Sequence, residues 1–104
     1  NELLKFIRKG VPRDEQMLDK LLMCGLIEAR SCERFKLLWQ GINDADLQTF
    51  YYQLMVAEAA HYTLFLDLAR TYLPPERVRE RWLEWLAHEK QILLQLTPRG
   101  DRMH

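Results

Sequence analysis

No apolar run in this 104-residue sequence approaches the roughly 18 residues that a membrane-spanning helix needs, and no signal peptide opens it. Glycine and proline are scarce, four of each, which leaves room for long helices. There are only two cysteines, Cys24 and Cys32, eight residues apart on one expected helix. At about 1.5 Å per residue they stand about 12 Å apart, beyond disulfide reach, and unpaired thiols fit a reducing, cytoplasmic compartment. Charge of one sign is also missing: 15 Lys plus Arg balance 15 Asp plus Glu. No global field therefore steers the chain to nucleic acid or an anionic membrane, and any such contact must come from a local cluster. The first residue is Asn rather than Met, which suggests that something precedes it.

What is present is apolar content, 48% with 11% aromatics, ample for one domain with a modest core. Residues 1–10 read as a short amphipathic helix closed by Gly10. Lys5, Arg8 and Lys9, with Arg13 beyond, make this the most basic segment. A solvated face is one reading of them, and a phosphate contact for nucleic acid is the other. Pro12 breaks the chain, and long helices are expected at 14–40 and 45–72, separated by Gly41-Ile42-Asn43-Asp44. Pro74-Pro75 then starts a helix at 76–96, with a Pro, Gly and charge-rich tail at 97–104. Val78, Trp82, Trp85, Leu86, Glu89, Leu93 and Leu96 share one face of that last helix.

The two long helices carry the chemistry. Met17, Leu21, Cys24, Cys32, Phe35 and Trp39 all fall within about 40° of Glu28 on the first, an apolar stripe with one carboxylate planted in it. On the second, Leu47, Phe50, Tyr51, Leu54, Glu58, His61, Phe65 and Leu68 form the inner stripe. Glu28 lies fifteen residues before Asn43 and Glu58 fifteen after it. An antiparallel hairpin therefore sets both carboxylates at one level, roughly 22 Å from the turn, with His61 one turn beyond Glu58. A buried carboxylate costs several kcal/mol, roughly, unless it is paired, protonated or bound to a metal. A Glu facing a Glu-x-x-His from the neighbouring helix is half of a carboxylate-bridged two-metal site. Glu33 points away and misses the level of Glu58 by about 7 Å. Cys24 and Cys32 read as small core fillers, because hard carboxylate sites seldom mix in thiolates. Tyr51 reads as packing, Glu89 as an ion-pair partner or a snorkelling edge residue, and Glu84 and His88 as surface.

The block Glu28-Ala29-Arg30-Ser31-Cys32-Glu33-Arg34-Phe35, with Asp46-Leu47-Gln48-Thr49-Phe50-Tyr51 and Glu58-Ala59-Ala60-His61-Tyr62, resembles the bacterial tRNA hydroxylases that act on 2-methylthio-isopentenyl-adenosine beside the anticodon. The ending Arg102-Met103-His104 is similar to that family's Arg-Phe-His. The resemblance covers nearly the whole chain but about the C-terminal half of a family protein.

It implies an all-α, ferritin-like four-helix bundle, to which this chain supplies a long antiparallel hairpin plus a third, C-terminal helix. It further implies a non-haem di-iron monooxygenase with tRNA, dioxygen and an external electron donor as partners, and no membrane. The family's second set of ligands falls on Glu28, Glu58 and His61. The first set, from two earlier helices, has no counterpart, so an N-terminal half of the bundle or a second copy must supply it. Ala60 stands where the family often has Arg, which bears on the hydrogen bonding around the ligands. A metal-storing or peroxide-scavenging ferritin-like protein, or a helical dimerisation module in which Glu and His satisfy each other, are the alternatives that the residues leave open.

Overall fold

The computed structural model describes residues 2–96, so the tail at 97–104, with Arg99 and the Arg102-Met103-His104 ending, lies outside the described residues. Four helices and no strand are found there: α1 (Glu2–Lys5), α2 (Arg13–Gly41), α3 (Ala45–Tyr72) and α4 (Pro75–Leu96). The chain is all-α, consistent with a ferritin-like bundle.

α2 and α3 form the antiparallel hairpin. α2 ends where Ile42 turns extended, its N–H still donating to Leu38 O. Asp44 then caps α3, its side chain accepting from Leu47 N at 3.1 Å. α4 starts after Pro74 and crosses the end of the hairpin remote from this turn. There it closes a single core of Leu18, Leu22 and Leu26 from α2, Leu66 and Ala69 from α3, and Val78 and Trp85 from α4. Gly25 sits within α2 against Phe65, Trp82 and Tyr62, where a longer side chain would hold α3 and α4 away.

Full burial thus falls one position round from the expected α2 stripe. Met17, Leu21, Cys24, Glu28, Cys32, Phe35 and Trp39 are half-buried rather than buried. On α3, Leu47, Phe50 and Leu68 are exposed. The reason is coverage. α2 carries apolar residues on two adjoining faces, and α4 lies over only the one with Leu18, Leu22 and Leu26. On α4 the expected face is buried at Val78 and Trp85 but exposed at Leu93 and Leu96, which lie beyond that core. The accessible surface is 7421 Å², against about 6,200 Å² for a compact monomer of this mass.

The expected helix at 1–10 shrinks to one turn. Phe6 N and Ile7 N still donate to Leu3 O and Leu4 O, but Arg8 N is taken by Asp19 Oδ2 at 2.9 Å. The chain leaves the helix to reach that carboxylate and turns at Gly10, whose φ of +75° favours glycine. No helix among the described residues is long and apolar enough to cross a membrane.

Candidate metal centre

Matched distance from the turn brings Glu28 of α2 alongside Glu58 of α3, and one helical turn places His61 beside both. The ligand atoms of the three lie within 4.8 Å of one another. His61 Nδ1 stands 3.7 Å from Glu28 Oε2 and 4.0 Å from Glu58 Oε2. These separations exceed hydrogen-bond length, so the imidazole does not satisfy either carboxylate by direct contact. Two carboxylates and one imidazole converging without a mutual bond form a donor set suited to a hard or borderline divalent metal.

The side chains of Glu28 and Glu58 are 26% and 21% exposed, and that of His61 is 56% exposed. They face the open side of the hairpin, away from α4, with half-buried Leu21, Phe35, Leu54 and Phe65 one or two turns away on the same stripes. Glu33 is outside the group: it is 65% exposed and bonds Arg30 at 2.8 Å. Arg30 in turn forms a two-point pair with Glu89 of α4, with Nη2 to Oε1 at 2.6 Å, which raises the affinity of the guanidinium for its proton. Cys24 and Cys32 are free thiols, and Cys32 Sγ lies 3.5 Å from Met55 O.

The basic segment is not one cluster. Lys5 pairs with Glu2 at 2.9 Å. Arg8 is drawn inward, its Nε 3.0 Å from Asp19 Oδ2 and its Nη2 2.9 Å from Glu15 Oε1. Lys9 and Arg13 are exposed.

Sequence reasoning missed the charged network that organises this end of the fold. Asp19 is fully buried, and Arg81 is 5% exposed. Besides Arg8, Asp19 accepts from Arg81 Nε at 2.7 Å and Trp85 Nε1 at 3.2 Å. Arg81 also donates to Phe6 O at 3.1 Å and lies 4.3 Å over the Phe6 ring. Burial alone would raise the Asp19 pKa, but the hydrogen bonds from Arg81, Arg8 and Trp85 outweigh it and hold the carboxyl at about 2. The available signal was Arg81, which stands on the same helical face as Val78 and Trp85. His88, expected at the surface, is half-buried and stacks on Phe6 with ring centroids 4.2 Å apart.

Across residues 1–104 the chain matches the family described as tRNA-(MS[2]IO[6]A)-hydroxylase (MiaE). A protein of Salmonella typhimurium named tRNA 2-(methylsulfanyl)-N(6)-isopentenyladenosine(37) hydroxylase is 47% identical over 68 residues, 65% of this chain and 24% of the relative. A Pseudomonas putida protein of the same name is 44% identical over 89 residues, 86% of this chain and 42% of the relative. The chain therefore spans less than half the length of either relative. No solved structure matches it at a significant level.

Proposed function

Because the chain belongs to the tRNA-(MS[2]IO[6]A)-hydroxylase (MiaE) family, we propose that it supplies half of the metal-binding apparatus of an enzyme that hydroxylates the isopentenyl group of a modified tRNA adenosine beside the anticodon. The convergence of Glu28, Glu58 and His61 within 4.8 Å carries this reading. The donor set fits iron in kind, since carboxylate oxygens and one imidazole suit that metal and leave positions open for other ligands. It does not fit in number. A two-iron carboxylate site takes about four Glu and two His from four helices, and the hairpin offers two Glu and one His.

The remaining ligands would come from two further helices laid on the open face, supplied by an upstream half of the same protein. The exposed apolar residues of that face support this: Ile27, Phe50 and Leu64 are 46%, 52% and 53% exposed around a polar ligand set. A second copy of the chain could offer the same half-set across a two-fold axis. The family relatives, more than twice as long as the stretch they share with this chain, favour the upstream half.

The paired irons, when bound, supply the dioxygen chemistry. One oxygen atom enters a C–H bond and the other leaves as water, with two electrons from an external donor and two protons. The residues of this chain hold the metals, place charge and exclude water. The carboxylates of Glu28 and Glu58 would offset the cationic charge, and His61 would offer a ring nitrogen. Leu21, Phe35, Leu54 and Phe65 form the apolar wall against which an isopentenyl group can lie dry once the open face is covered. The free thiols Cys24 and Cys32 accord with a reducing cytoplasmic setting.

The test uses the complete protein, iron, a reductant and tRNA carrying the 2-methylthio-isopentenyl base. Mass spectrometry of digested nucleosides should show the base gaining one oxygen atom. With labelled dioxygen the added oxygen should carry the label. A protein that holds iron and consumes peroxide, yet leaves the nucleoside unchanged, would instead be a scavenger.

A further inference from the structure

Where α4 meets the hairpin lie two adjoining cavities that none of Glu28, Glu58 and His61 lines. One, of about 390 Å³, is lined by Ala29, Arg30, Cys32, Glu33, Tyr62, Trp82 and Leu86. The other, of about 280 Å³, is lined by Tyr62, Leu66, Arg70, Pro75, Val78, Arg79 and Trp82. Tyr62 and Trp82 line both, so the two form one groove with an aromatic midpoint, walled by α2, α3 and α4 in the first cavity and by α3 and α4 in the second. Their rings lie 5.8 Å apart, inclined at 39°, and both side chains are half-buried rather than sealed in the core.

The two ends of the groove differ in charge. Arg30 is committed to both Glu89 and Glu33, so that end carries a net negative charge and offers nothing to an anion. At the other end Arg79 is exposed and pairs with no group among the described residues. Arg70 holds only Asp67, one turn back at 3.1 Å, with its own side chain 45% exposed. An exposed pair of this kind is weak, so Arg70 can turn to an incoming anion at little cost. Two arginines from different helices beside two aromatic faces match one ligand chemistry well: a phosphodiester held by the guanidinium groups, with a base stacked on the rings.

We infer that the α3–α4 groove seats single-stranded RNA, with Arg70 and Arg79 on backbone phosphate and Trp82 and Tyr62 stacking a base. The inference rests on the tRNA reading and assigns part of the surface that holds that substrate. Tyr62 follows His61 in the chain but packs on Trp82 of α4, so the groove opens in a different direction from the ligand set. It therefore takes nucleotides flanking the reacting base, not that base itself. The segment expected from sequence to meet phosphate loses Arg8 to Asp19, which leaves the groove as the surface where arginine and aromatic rings coincide.

The test is fluorescence anisotropy of a synthetic anticodon stem-loop RNA titrated with the complete protein over a series of salt concentrations. R70Q/R79Q should weaken binding about tenfold and flatten the log–log salt slope by about 1.4, at 0.7 per phosphate contact on a single strand. Trp82→Leu should weaken binding at every salt concentration without changing the slope, whereas Trp82→Phe should retain most of it. Wild-type binding that R70Q/R79Q leaves unchanged in both affinity and slope would overturn the groove while sparing the tRNA reading. Failure of the wild-type protein to bind the stem-loop would sink both.

Discussion

Glu28 and His61, 33 positions apart in the chain, meet across the α2–α3 interface with Oε2 and Nδ1 separated by 3.7 Å. The register of the hairpin produces that meeting. The turn at Ile42-Asn43-Asp44 fixes how many residues each helix climbs before the carboxylates come level. A one-residue deletion in α2 between Glu28 and the turn would rotate Glu28 by about 100° about its helix axis. In the complete protein such a deletion should abolish iron retention while leaving the helical circular dichroism in place.

Asp19 gives the fold an acid-labile element. Its pKa is about 2 in the folded chain against an ordinary 3.8. Because the folded value is the lower one, the stabilisation is complete above the unfolded pKa and disappears as pH falls from 3.8 towards 2. The shift corresponds to about 2 kcal/mol. Urea midpoints should therefore fall across that window, and Asp19→Asn should remove the Asp19 part of this dependence while lowering stability at neutral pH. A neutral-pH midpoint unchanged in Asp19→Asn would show that the network contributes nothing net.

Arg8 separates a structural cation from an RNA contact. Arg8→Ala strands part of a buried carboxylate and should cost about 1–3 kcal/mol of stability. Lys9 and Arg13 are exposed, so K9Q/R13Q should leave stability unchanged. If these two meet phosphate, their loss should flatten the salt dependence of tRNA binding; an unchanged slope would remove the N-terminal segment from the RNA surface.

How far the sequence was legible follows from these residues. The long helices could be read because each repeats its apolar residues at helical period over seven turns, with Gly41 and Asp44 marking the turn. The meeting of Glu28, Glu58 and His61 could be read because hairpin register is simple counting. Which of two apolar faces on α2 is covered could not be read, since Leu18, Leu22 and Leu26 look no different in sequence from Leu21 or Phe35. The decision belongs to α4, through Trp85 and Arg81. Asp19 was hidden for a related reason: a carboxylate among leucines looks like a helix-surface charge until Arg8 and Arg81 arrive from residues 11 and 62 positions away.

Gly25 offers a gain in stability. It lies inside α2, and an added Cβ would meet Phe65 Cβ at 3.6 Å and Trp82 at 3.9 Å, ordinary contact distances. Alanine is about 1 kcal/mol better than glycine in a helix interior. Gly25→Ala should therefore raise the urea midpoint, and Gly25→Leu should lower it by forcing α3 and α4 apart. A lower midpoint for Gly25→Ala would mean that the three helices are packed more tightly here than these distances indicate.

The most direct measurement is the iron content of the complete protein and of three single variants, by elemental analysis after reconstitution and desalting. The expected result is two irons per wild-type molecule, loss of stoichiometric iron in Glu28→Ala and His61→Ala, and full iron in Glu33→Ala, whose carboxylate is turned to Arg30. Equal loss from Glu33→Ala, or full iron retained by Glu28→Ala and His61→Ala, would contradict the assignment of this hairpin as a metal half-site.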